Sequence, residues 1–156
     1  MVIKHQEKII TLWIVFLLGI IFHSQLGLMP LFHGLSVADS HAQSIAELTP
    51  IMWLMLGFFV FPMAAIVATV FTDSSRYRSI HFGLTVLYTG LNFCHLVADL
   101  IVQPIAWYQV VLILILFIIG LLLNLVSFQW MKVRLVKRPP KNKLSQKEQE
   151  TEFIQE

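Results

Sequence analysis

His95 and Asp99 stand four residues apart in an apolar stretch, and His23 lies in another. On a helix, side chains at i and i+4 are neighbours. A carboxylate beside an imidazole fixes its tautomer and raises its basicity, an arrangement used around metal ions and in proton transfer. The plainer reading of the pair is a structural tie between two helices. His23 is flanked by Gly19 and Gly27, four residues away on either side. Small residues at that spacing let a second helix come close, and they would equally leave room for a flat ring such as haem beside an axial imidazole. His33 and His41, with Asp39 and Glu47, belong to a polar segment that follows. The candidate cofactor-binding set is therefore His23, His95, Asp99 and Gln109. The candidate metal set is His23, His33, His41, His95 and Asp99. Met29, Met52 and Met55 add soft donors that would suit copper. Cys94 is adjacent to His95 but is rotated about 100° from it on a helix, which suits packing better than ligation.

The stretch that carries His95 and Asp99 runs from Ile80 to Ile101 and is long and apolar enough to cross a bilayer. His81, Thr85, Tyr88, Asn92, His95 and Asp99 follow one another at steps of 4, 3, 4, 3 and 4. They fall within an arc of roughly 80° on a helix. Polar groups are costly against hydrocarbon, so this stripe must face protein or trapped water. His81, Thr85, Tyr88, Asn92, His95 and Asp99 are thus expected to be less exposed than Gly83, Leu87, Val97 and Ile101.

Three further spans are expected, over residues 9–29, 51–71 and 105–131. Pro30 should stop the first, and Pro62 should kink the second. Leu31 to Pro50 reads as a polar loop in which Val37 to Leu48 forms a short amphipathic helix on the membrane surface, with Ser36 as its N-cap. Thr72 to Ser79 reads as a tight connection, and Gln103-Pro104 as a turn. Trp107, Tyr108 and Trp130 suit the two membrane interfaces. In the fourth span Gln109, Gly120, Asn124 and Ser127 share one side, and interhelical hydrogen bonds suffice to explain them. Beyond residue 138 the chain is a polar tail, 139–156, with the composition of disorder and a capping-box pattern at Ser145 and Glu148. The N-terminal layout also resembles a signal peptide, but the small-residue site at 40–42 lies too far from the apolar core for cleavage.

Of the 156 residues, 57% are hydrophobic and 13% charged, and the mean hydropathy is +0.76. A soluble domain would carry about a quarter charged residues. The formal charge is +2, and all 11 Lys and Arg residues lie near the N-terminus, between residues 72 and 79, or after Met131. By the positive-inside rule both termini are cytoplasmic and the chain crosses four times. The basic run from Lys132 suits anionic lipid headgroups, and no basic domain for nucleic acid is present. One cysteine excludes an intrachain disulfide and a cysteine metal cage. There is no Glu-x-x-His pair, His-Glu-x-x-His, nucleophile elbow, phosphate loop or dinucleotide fingerprint, and no internal repeat of the transporter type.

These features imply an all-α membrane protein, a four-span antiparallel helical bundle in a bacterial plasma membrane or an equivalent internal membrane. Two functional readings follow, with a transporter component as a third behind them. One is a non-catalytic membrane subunit or assembly factor, working in a larger membrane complex or as a homo-oligomer. The other is a ligand-binding or redox protein whose outer-half site takes haem, a transition metal or quinone. For haem, His23 and His95 would face a common cavity from spans placed diagonally, with Asp99 and Gln109 at its rim.

Overall fold

A computed structural model describes residues 4–36, 44–102 and 105–133. They form four helices: α1 (His5–Phe32), α2 (Ile45–Phe71), α3 (Ser75–Ile101) and α4 (Trp107–Lys132). All four are long and apolar enough to cross a membrane. Each is about 40 Å long, so each overhangs a hydrocarbon core of about 30 Å.

The helix ends depart from the expected ones, for local reasons. Pro30 does not stop α1. The helix continues to Phe32 and closes at Gly34, whose φ is 77°. The Gly34 N–H donates to Leu31 O at 3.1 Å, and the Leu35 N–H to Pro30 O at 3.0 Å. This double closure needs a left-handed residue, which glycine adopts without steric cost. The helix α2 starts at Ile45, so residues 45–48 belong to a long helix and not to a short surface one; residues 37–43 of that expected helix, with His41, lie outside the described residues. Ser44 precedes α2 and its hydroxyl donates to Glu47 Oε1 at 3.1 Å. The assigned helix is unbroken through Pro50 and Pro62, each of which removes one backbone N–H. The helix α3 starts five residues before Ile80, because the Ser74 hydroxyl accepts the Tyr77 N–H at 3.1 Å and caps it. The connection from α2 is therefore only 72–74.

The helices alternate in direction, so the start of α1, the α2–α3 connection and the end of α4 share one end of the bundle. The α1–α2 and α3–α4 connections share the other. The helix α3 packs along α4, α4 along α1, and α1 along α2, whereas α2 and α3 approach one another loosely. Ile9, Trp13 and Phe16 of α1, Tyr88 of α3, and Ile113, Leu116, Leu123 and Trp130 of α4 form the core. Two glycines let these helices close up. A Cβ on Gly19 would overlap Leu116, and one on Gly120 would stand 2.9 Å from Thr89 Oγ1.

The helix α2 contributes to this core weakly. Its buried residues are Pro62, Ala65 and Thr69, all in its second half. It is tied to α3 by Tyr77 Oη, which donates to Ala65 O at 2.7 Å, and by Tyr88 Oη, which donates to Phe58 O at 2.6 Å. Before Phe58 the two helices part.

Candidate functional site

The stripe on α3 is buried for most of its length. His81, Thr85, Tyr88 and Asn92 are 5% exposed or less, against 56% for Leu87 and 71% for Ile101. Asp99 follows the same pattern, with 17% of its side chain exposed. His95 does not: 54% of its side chain is exposed, and like Val97 it is an exposed residue. The reason is α2, which covers this face of α3 as far as Tyr88 and then leaves it open.

His23 approaches from α1, on the stripe formed by Ile9, Trp13, Phe16, Ile20, His23 and Gly27, again at steps of 4, 3, 4, 3 and 4. The two stripes meet across the bundle. Asp99 Oδ2 lies 3.1 Å from His23 Nε2, and Asp99 Oδ1 lies 3.5 Å from His95 Nε2. An ionised carboxylate only accepts hydrogen bonds, so the His23 Nε2–H donates to it. The two imidazoles stand edge to face, with ring centroids 5.0 Å apart. One ligand atom from each of the three residues lies within 4.8 Å of the others. His23 and Asp99 are largely shielded at 12% and 17% exposed, while His95 opens outward.

The other candidates among the described residues are not part of this cluster. Gln109 is half-buried in the first turn of α4, with its Nε2 3.3 Å from where a Cβ on Gly27 would be. His33 is exposed in the closure of α1. Cys94 is free and exposed. Met29 and Met52 are about half exposed, and among the three methionines Met55 alone lines the groove described next. Gly19 and Gly27 offer no slot beside His23, since α4 fills both positions with Leu116 and Gln109.

An open groove of about 930 Å³ runs from His23 and His95 toward the bundle middle. Its walls are mostly apolar, including Phe58, Leu84, Leu87 and Leu91, with Tyr88 and Asn92 toward α3's buried side. The Tyr88–Phe58 hydrogen bond bridges α2 and α3 alongside it.

Three features escaped the reading of the sequence. Arg78 looks like a connection residue but is 3% exposed. It donates to Asp73 Oδ1 through Nη2 at 2.6 Å and Nε at 2.9 Å. Through Nη1 it donates to Val133 O at 2.6 Å and Trp130 O at 3.3 Å, closing the end of α4. Trp13 Nε1 donates to His81 Nε2 at 3.0 Å. Thr89, off the α3 stripe by one position, receives Asn124 Nδ2 at 3.0 Å, while Asn92 Nδ2 donates to Ile113 O at 3.3 Å. The shared 4-and-3 spacing of the α1 and α3 stripes is the signal that points to the Trp13–His81 contact.

Two imidazoles and a carboxylate converging from two helices suit a borderline divalent metal ion. Bonds of about 2.0–2.1 Å at tetrahedral angles place neighbouring donors about 3.3 Å apart. His23 Nε2 lies 3.1 Å from Asp99 Oδ2, and His95 Nε2 lies 3.5 Å from Asp99 Oδ1. One donor from each residue lies within 4.8 Å of the others, so the side chains would have to draw in to hold an ion. The same cluster can also hold and pass a proton among its three members. No family model, curated protein or solved structure matches this chain.

Proposed function

We propose that this multi-pass membrane protein binds a divalent transition-metal ion, zinc in the first place, through His23, His95 and Asp99. The observation that carries the reading is the convergence of the three side chains within 4.8 Å from two separate helices. Three protein ligands leave a fourth position free on the groove side. Binding through both Nε2 atoms requires each imidazole in the tautomer that carries its proton on Nδ1. Copper is disfavoured, because Met29 and Met52 are away from the groove and Met55 alone is on it. Haem is disfavoured as well. Both Nε2 atoms are directed at one carboxylate, and the glycine faces of α1 are filled by α4.

The test is elemental analysis of protein purified without chelator and dialysed against zinc. About one ion per chain is expected, with at least a tenfold loss in His23→Ala and Asp99→Asn. Wild-type protein without zinc, or variants that keep it, would overturn the reading.

In this reading the His–Asp end lies on the extracytoplasmic side, and both termini lie in the cytoplasm. The support is the placement of all 11 Lys and Arg residues toward the other side. A reporter fused at Gln43 is expected outside and one fused after Lys143 inside. Both on one side would break the four-span topology.

A second reading, a non-catalytic subunit of a larger membrane complex or a homo-oligomer, is favoured by the first half of α2. Its side chains from Ile45 to Phe61 include none that is buried. Metal-free protein that co-purifies with other membrane chains would support this alternative.

A further inference from the structure

The groove beside the His–Asp cluster has a polarity gradient. Its polar end is made by His23, Ser24, His95 and Asn92, and its walls are aromatic and aliphatic. From the level of His95 to that of Leu84 it extends about 16 Å along α3. His95 lies about 9 Å from the helix end at Ile101. The gradient therefore runs from near the interface toward the bilayer centre, as it does in an amphiphile seated in one leaflet. The volume, about 930 Å³, is at the upper end of what small-molecule sites use.

The chemistry of the polar end narrows the occupant. No Lys or Arg lines the groove, and all described Lys and Arg residues (Lys4, Lys8, Arg76, Arg78 and Lys132) sit at the opposite end of the bundle. A phosphate headgroup would find no counter-charge there. A neutral head that accepts hydrogen bonds fits better. His95 Nε2 lies 3.5 Å from Asp99 Oδ1, and Nδ1 has no partner among the described residues, so the tautomer with its proton on Nδ1 can donate to such a head. Trp53, Phe58, Phe59 and Tyr88 offer ring faces and edges against which a flat head packs well. We propose that the groove binds a prenylated quinone, its ring carbonyl hydrogen-bonded by His95 and its tail laid between α2 and α3.

The proposal goes beyond metal binding and does not depend on it. The probe is decylubiquinone, added to the full chain in detergent micelles containing dioleoyl phosphatidylcholine. Native mass spectrometry reads which mass stays on the chain, and quenching of Trp53 fluorescence reads the affinity. One quinone per monomer is expected, with saturable quenching that is lost in Trp53→Phe. Affinity should fall at least tenfold in His95→Ala and in the groove-filling pair Leu87→Phe and Leu91→Phe, and stay unchanged in Phe71→Leu, which lies outside the groove. His95→Gln, which keeps a donor, should recover part of the loss. Unchanged helical circular dichroism and melting temperature confirm that a variant is folded. Retention of phosphatidylcholine that quinone does not displace, a dimer mass in place of the quinone, or equal quinone binding by the groove-filled variant would each overturn the proposal. Chelator treatment should leave quinone retention unchanged, so failure of the metal reading and failure of this one are separately visible.

Discussion

The two ends of the bundle use similar residues for opposite purposes. At the end where α1 begins and α4 stops, His81 is 1% exposed, accepts the Trp13 indole N–H and packs edge-on to Trp130. Arg78 lies 5.3 Å over the same Trp130 ring and binds the last carbonyls of α4. At the other end, His23 and His95 meet a carboxylate, and His95 faces outward. Both histidines of α3 lie on one stripe of one helix. The difference between them is cover. The helix α2 stays with α3 at Tyr77 and Tyr88 and is gone by His95. A buried histidine with a packed indole partner holds a fold together, whereas the same side chain beside an open groove is available to a ligand.

That contrast is testable by substitution. The largest effect on stability is expected from Trp13→Ala at the closed end, about 3 kcal/mol from the cavity and the lost hydrogen bond, read by reversible unfolding in mixed micelles. His81→Phe should cost about 1–3 kcal/mol in the same measurement, since it leaves the buried indole N–H of Trp13 without an acceptor. Gly120→Val should fall in a similar range of about 1–3 kcal/mol, because Thr89 must give way. At the open end, His95→Ala should change stability by less than about 0.5 kcal/mol, as exposed substitutions usually do, while lowering zinc occupancy. If His95→Ala destabilises the fold as much as His81→Phe, the division into a structural and a functional end fails. Gly83→Ala and Gly90→Ala should act in the opposite direction. A Cβ at either position meets nothing within 4 Å, so helix propensity alone should raise stability, by about 0.5–1 kcal/mol at most.

Much of this arrangement was legible in the residues. Four spans followed from hydropathy, because a bilayer sets the length of its helices. The inward face of α3 followed from the 4-and-3 spacing of its polar groups, and His23 and His95 were expected to share a cavity from their matching depth. The helix ends were less legible. Pro30 looked like a stop, but the glycine four residues later is what closes α1, since the geometry of closure outweighs one missing N–H. Ser74 was passed over as a cap because the charged residues after it read as a loop. The burial of Arg78 could not be seen from its neighbours in sequence, because its partners at Trp130 and Val133 are more than fifty residues away. Nor could the exposure of His95. It depends on where α2 stops covering α3, and an almost uniformly apolar helix gives no sign of which of its faces is left unpacked.

The packing order also bears on how the chain is made. The helix that completes the core is α4, the last of the four helices in chain order, and both α1 and α3 pack chiefly along it. Until α4 enters the membrane, Trp13, Phe16 and Gly19 have only α2 and α3 beside them, and Leu116 is missing from its place against Gly19. Assembly of the core therefore waits for α4, and a chain cut after Val102 would leave an unfinished three-helix intermediate open to quality control.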